Sequence, residues 1–172
     1  ATLFDDIALR SLANNTFTDW QDFAYQNGAK QNHQLGVNGG NERTQFAVSL
    51  NYYGEDGLLD GVYYRRGGLR VNLDHRLNDR MKLGISSFAS RSKQTAQTND
   101  IYDNIVRLNP LGTPFDDAGN MLFRPTNDEG QRVNPLADLE NQLDERFTTR
   151  LFASIFGEYE LAKRLKYRLN GG

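Results

Sequence analysis

The sequence predicts an all-β chain, an antiparallel meander of about six long strands forming part of a larger transmembrane β-barrel. Three observations predict it. From about residue 32 apolar side chains recur with period two. Several of these runs reach roughly ten residues, the length a tilted strand needs to cross a bilayer, against about five or six for an ordinary soluble strand. The connections between runs alternate between short and long, so short turns gather at one end of the strands and long loops at the other. Outer-membrane barrels have that asymmetry, and nothing in a soluble meander imposes it.

Composition sets the outer bounds. The 172 residues carry 20 Lys and Arg against 22 Asp and Glu, a formal net charge of −2. That leaves no basic field for a phosphate backbone and argues against a nucleic-acid partner. Without cysteine, disulfides, thiolate metal sites and cysteine nucleophiles are excluded. No stretch approaches the roughly 18 to 20 apolar residues of a membrane helix. The mean hydropathy of −0.68 still fits a barrel, because each strand shows lipid only one face while lumen and loops stay wet. The opening residues Ala1-Thr2-Leu3-Phe4 carry no initiator Met or signal-peptide pattern, and bacterial barrels begin at about eight strands. The chain is therefore expected to be a piece of a longer one.

Residues 1–31 are expected to form a helix and a connector leading into the barrel. Thr2 followed by Asp5 reads as a helix start, with Leu3, Phe4, Ile7, Ala8 and Leu12 at helical spacing and Asn14-Asn15 as the stop. Thr16 to Lys30 mixes Phe17, Trp20, Phe23 and Tyr25 with polar residues and has no clean period.

Residues 32–172 are expected to be the barrel segment. A first strand covers about Asn32 to Asn38. The second sets Phe46, Val48, Leu50 and Tyr52 against Gln45, Ala47, Ser49 and Asn51, and the third sets Leu69, Val71, Leu73 and Leu77 against Arg70, Asn72, Asp74 and Arg76. A fourth begins Met81, Leu83, Ile85 and then loses register at Phe88, which a bulge near Ser86-Ser87 would repair. The fifth alternates Leu151, Ala153, Ile155 and Tyr159 with polar residues, blurred by Phe152 and Phe156; the sixth carries Leu165, Tyr167 and Leu169. On this reading Phe46, Val48, Leu50, Leu69, Val71, Leu73, Leu83, Ile85, Leu151 and Ile155 face lipid. The charged opposite face needs a wide, wet or plugged interior. Tyr52-Tyr53 and Tyr63-Tyr64 at the long-loop end, and Tyr159 and Tyr167 at the short-turn end, suit two interfacial belts.

The turns are Gly39-Gly40-Asn41-Glu42, Asn78-Asp79-Arg80 and Ala162-Lys163-Arg164. The long connections are Gly54 to Val62 and a loop at about 94–145, read as extracellular, which holds all four prolines. That loop contains two helix signals. Asp100 leads into Ile101, Ile105 and Leu108, and Asn134-Pro135 leads into Leu136, Leu139 and Leu143.

Candidate chemistry is sparse. His33 and His75 make a conceivable zinc pair with Asp74, or are ordinary strand residues. Asp116-Asp117-Ala118-Gly119-Asn120 and Asn127-Asp128-Glu129-Gly130 offer oxygens for calcium but lack the spacing of an EF-hand, and turn chemistry is the preferred reading. The carboxylate pairs Asp144/Glu145 and Glu158/Glu160 read as solvated charge, and no nucleophile elbow, phosphate loop or dinucleotide fingerprint is present. No catalytic residue, metal site or cofactor is expected. Tyr102 and Phe115 either contact a partner or glycan or fold the long loop on itself; Trp20 is either a ligand platform or packing.

The segments Thr18-Asp19-Trp20-Gln21-Asp22, Gln31-Asn32-His33-Gln34-Leu35-Gly36-Val37-Asn38-Gly39-Gly40-Asn41-Glu42-Arg43-Thr44, Leu69-Arg70-Val71-Asn72-Leu73-Asp74-His75-Arg76-Leu77 and Asn134-Pro135-Leu136-Ala137 resemble, in order and spacing, landmarks of the SusC/RagA-type TonB-dependent outer-membrane transporters. The resemblance implies a 22-stranded barrel with an N-terminal plug in the bacterial outer membrane. It implies import of oligosaccharides or peptides, energy delivered by the TonB complex, and a SusD-like surface lipoprotein as partner. The plug and the TonB-contacting segment are expected outside this stretch. Two rivals remain: a soluble or surface-attached β-sandwich that binds carbohydrate, whose strands would run to about six residues in two packed sheets, and a passive porin-like channel.

Overall fold

The computed structural model describes residues 4–96, 99–126, 132–141 and 144–172. Their order is α1 (Asp6–Asn14), α2 (Trp20–Ala24), β1 (Ala29–Gly40), β2 (Thr44–Asp56), β3 (Tyr63–Asn78), β4 (Met81–Ala96), α3 (Asn99–Arg107), α4 (Pro135–Asn141), β5 (Asp144–Ala162) and β6 (Leu165–Gly171). The six strands form one sheet in the order of the sequence, β1-β2-β3-β4-β5-β6. The all-β fold class stands. β1 to β5 have 12, 13, 16, 16 and 19 residues, well beyond the sandwich range, and the described residues contain no second sheet.

By contacts the chain divides into two units. One comprises residues 30–55, 64–94 and 146–172, which is the sheet; the other comprises 1–29, 56–63 and 95–145, which holds the helices and long connections.

Within the sheet, polar side chains close the short turns. Asn41 Oδ1 accepts from the backbone N–H groups of Arg43 and Thr44 at 2.9 and 2.8 Å, and Asn78 Oδ1 accepts from that of Arg80 at 2.9 Å. The expected bulge at Ser86-Ser87 is absent. β3 and β4 stay in register there, with Asn72 opposite Ser86 and Val71 opposite Ser87, and the register shifts instead between Arg76 and Asn78. Phe88 therefore keeps the polar side of the sheet. A cation takes up its ring face, for the Arg70 guanidinium lies 5.6 Å from the ring centroid.

In the other unit the helices close around Trp20, Ala24, Leu59, Ile101, Ile105 and Leu108, with Val62 and Leu139 packed against them. α1 starts later than the Thr2 signal suggests: Asp5 is its cap, accepting from the Ala8 N–H at 2.7 Å. Thr2 and Leu3 lie outside the described residues. Its stop is as expected, Asn15 taking a left-handed conformation with φ 52°. The connector read as aperiodic contains α2, because Asp19 Oδ1 accepts from the backbone N–H groups of Gln21 and Asp22. In the long loop, Asn134 is fully buried. Its amide donates to the carbonyls of Pro114 and Leu122 at 3.0 and 2.8 Å, while its Oδ1 accepts from the Leu136 N–H at 3.1 Å and caps α4. One side chain thus starts a helix and ties it to two loop segments. Trp20→Ala should destabilise this unit by about 3–5 kcal/mol, and Asn134→Ala by about 1–3 kcal/mol through the carbonyls it strands. Faster amide exchange in α3 and α4, with the sheet amides unchanged, is the expected readout.

Candidate functional site

A sheet of long strands with different faces presents two surfaces, and the pairings assign residues to each. Opposite residues in an antiparallel pair share a face. Leu69 pairs with Ala89, Val71 with Ser87, Leu73 with Ile85 and His75 with Leu83, so these eight share one side. Thr44 reaches His75 there (Oγ1 to Nδ1 2.8 Å), which places Phe46, Val48 and Leu50 on the same side by alternation. On β5, Phe147 meets Arg91 and Lys93, and a Cβ on Gly157 would meet Leu83 Cδ2 at 3.4 Å. Leu151 and Ile155 alternate in step with both. The ten side chains expected to face lipid therefore occupy one face. Seven of them are exposed, Leu151 at 78% and Ile155 at 54%, and Val48, Val71 and Leu83 are half-buried.

The opposite face is polar and internally satisfied. Lys82 pairs with Asp74 and Lys166 with Glu158, each at 2.8 Å, and Lys30 with Glu55 at 3.1 Å. Asn51 donates to Asn32 Oδ1 at 2.9 Å and Ser86 to Asn72 Oδ1 at 2.7 Å. Two of its phenylalanines sit beneath cations. Besides Phe88, Phe156 has the Arg168 guanidinium 4.0 Å and the Lys82 ammonium 5.7 Å from its centroid. A groove of 390 Å³ on this face combines Gln34, Ser49, Asn51, Arg66, Arg70 and Phe88, a set of amides, a hydroxyl, two guanidiniums and a ring suited to polar ligands.

The tyrosines divide between the faces. Tyr159 and Tyr167 pair directly beside the last short turn, on the apolar face. At the long-loop end Tyr52 stacks on His33 of the apolar face, with centroids 6.3 Å apart. Tyr53 and Tyr64 instead pack on each other at 5.9 Å on the polar face, and Tyr53 donates to Glu55 at 2.6 Å. Adjacent strand residues point opposite ways, so only one tyrosine of each pair can join a belt on the apolar side.

Trp20 is packing. It is 3% exposed, and its indole N–H donates to the Asn109 carbonyl at 3.0 Å, so its ring is closed to a ligand. Tyr102 is 45% exposed and Phe115 37% exposed, the latter edge-on to Phe23 at 6.4 Å. His33 and His75 have separate partners, Tyr52 with Gln31 and Thr44 respectively. Among the described residues no three His, Asp or Glu side chains cluster as metal ligands. Asn127-Asp128-Glu129-Gly130 and Leu143 lie outside the described residues.

Asp116 to Asn120 is a closed turn. Asp116 Oδ1 accepts from the Ala118 and Asn120 N–H groups at 2.9 and 2.8 Å, and Oδ2 from the Asn120 amide at 3.0 Å. These bonds, led by the Asn120 side chain, hold the Asp116 carboxyl below its ordinary value. A depressed carboxyl stabilises the turn above its unfolded value and loses that effect as pH falls through the folded one. The turn should therefore stay closed through the usual carboxylate range and open only below it. Asp116→Ala should leave it open at every pH, as read by amide exchange at Ala118 and Asn120.

What the sequence did not reveal is Gly84. Phe156 lies directly over it across the β4–β5 pair, where a Cβ would overlap the ring and approach Asp74 Oδ1 to 2.7 Å. The signal was present in Phe156 falling on a polar position, but only the register joins it to Gly84.

No family model matches the chain. TonB-dependent receptor P3 of Formosa agariphila is 27% identical over 165 residues, covering 90% of this chain. TonB-dependent receptor SusC of Bacteroides thetaiotaomicron is 25% identical over 181 residues, covering 83%. This chain spans 16% and 18% of those relatives' lengths. Among solved structures, the RagAB peptide importer in its closed-closed state superposes with a TM-score of 0.67 at 15% identity, over 90% of this chain and 18% of the other. A second structure, of the RagAB peptide transporter, gives 0.68 at 14% identity. In sequence and in fold, then, the chain is similar to a barrel segment of the SusC/RagA-type TonB-dependent transporters.

Proposed function

We propose that these residues are part of the barrel wall of a TonB-dependent outer-membrane importer of oligosaccharides or peptides that works with a SusD-like surface lipoprotein. The observation that carries this reading is the sheet itself: long strands in sequential order, one face bare and apolar, the other charged and hydrogen-bonded. An apolar face of this extent has to be covered, and lipid covers it without a second sheet. The polar face then borders a wet or plugged lumen, where amides, guanidiniums and Phe88 suit a polar cargo. The long connections lie at the outer surface, where Tyr102 and Phe115 are available to a lipoprotein or to the cargo. The TonB complex acts through parts of the protein other than these 172 residues. No step of catalysis is assigned to the chain.

Deletion of the gene in its native host should abolish growth on one class of glycan or peptide, and tagged full-length protein should co-purify with a lipoprotein. Unchanged growth across both substrate classes, with no lipoprotein recovered, would contradict the proposal.

A further inference from the structure

The apolar face ends abruptly near the long-loop end. Leu69 and Ala89 form the last apolar row; the next row is Gly67 opposite Arg91, and the one beyond it is Arg65 opposite Lys93. Three cations of neighbouring strands thus occupy successive positions on the face that carries the apolar band. Directly below them the face is hollow. A groove of 670 Å³ runs between Leu35, Leu50, Tyr52 and Leu69, opened by the missing side chain of Gly67 and the short one of Ala89. Its exposed surface is mostly apolar, and His33, Thr149 and Arg91 bring polar groups to its edge.

Arg91 is exposed, its guanidinium rests 5.6 Å from the Phe147 centroid, and among the described residues no carboxylate stands within ion-pair distance of it. Lys93 approaches the same ring at 5.5 Å. Arg65 Nη1 donates to the Glu55 and Tyr64 carbonyls at 2.6 and 3.2 Å. A groove that fits an acyl chain and ends at aromatic-backed guanidinium and ammonium groups has the complementarity of one kind of molecule. Arginine forks match phosphate oxygens in geometry as well as charge.

We infer that this groove is a specific site for a lipid with a phosphate-bearing, net anionic headgroup, the chain lying across Gly67 and Ala89 and the phosphate at Arg91 with Lys93 and Arg65 beside it. The inference rests on the membrane-barrel reading and goes beyond it: a generic lipid surface needs neither a hollow nor a basic row. The site would fix the height of the barrel in the bilayer, since headgroups fall level with Arg91.

The test uses the full-length protein reconstituted with equal amounts of dioleoyl phosphatidylglycerol and dioleoyl phosphatidylcholine, and reads retained lipid by native mass spectrometry. Wild-type protein should keep the phosphatidylglycerol in preference, severalfold. Arg91→Gln should abolish that preference, and Gly67→Phe, which fills the groove, should reduce total retention; Arg91→Lys should restore part of it. Equal retention of the two lipids by the wild type, or a preference unchanged in Arg91→Gln and Gly67→Phe, overturns the inference. Heat-modifiability on gels is read from the same samples. A heat-modifiable band without lipid preference removes this inference alone, whereas loss of that band in the wild type removes the barrel reading with it.

Discussion

Arginine at Leu50, Val71 or Leu73 is expected to stop the parent barrel from assembling, while arginine at Asn51 or Asn72 is tolerated. The first three share the face that carries the apolar band; Asn51 and Asn72 sit among the hydrogen bonds of the other. Arg facing lipid near the bilayer midplane costs about 2–4 kcal/mol, a large part of the net stability of a folded chain. On the polar face the same guanidinium joins Arg66 and Arg70 in water. Val71 and Asn72 make the cleanest comparison, being neighbours in one strand whose side chains point to opposite faces. Folded, outer-membrane-inserted protein is the readout, and equal effects at the two positions would show that the two faces have been exchanged or that neither meets lipid.

Gly84→Val is expected to be as damaging although it adds only apolar atoms. At this position the Phe156 ring fills the space a Cβ would take, Asp74 Oδ1 closes the third side, and Arg168 and Lys82 cover the ring from beyond. Any side chain must push Phe156 out of that stack. Overpacking of this kind costs about 1–3 kcal/mol, to which the lost cation contacts add. The loss falls on the pairing of β4 with β5, the two strands that flank the long loop. Phe156→Leu alone should be milder, and the double variant Gly84→Ala with Phe156→Leu should recover much of what Gly84→Ala alone loses. Additive damage in the double variant, measured by thermal stability in detergent, would mean that the two positions are not coupled.

These two cases mark what the sequence made legible. The facing of Val71 and Asn72 followed from alternation alone, because one strand with period two needs no partner to define its sides. Strand order and the segregation of turns from loops followed equally, since a meander with three short connections has little topological freedom. Gly84 with Phe156 was not legible: the fit of a ring over a glycine depends on which residues stand opposite, and register is a property of two strands together. Phe88 was misread for a related reason. Its place on a polar position looked like lost register, whereas Arg70 across the pair lets an aromatic ring remain there. In the loop unit the two helices were legible from the spacing after Asp100 and Asn134, although α3 begins one residue earlier, at Asn99, while the five-residue α2 was too short to show a period. The inward turn of Trp20 depends on Leu59 and Ile101, distant in sequence, and local pattern does not carry such contacts.

The measurement that tests the central claim most directly is fractionation of the full-length protein in its native host. The barrel account predicts an outer-membrane protein that needs detergent for extraction and shifts in gel mobility on heating. Recovery as a soluble protein without detergent, with mobility independent of heating, would contradict it and would leave the apolar face to be covered by protein instead of lipid.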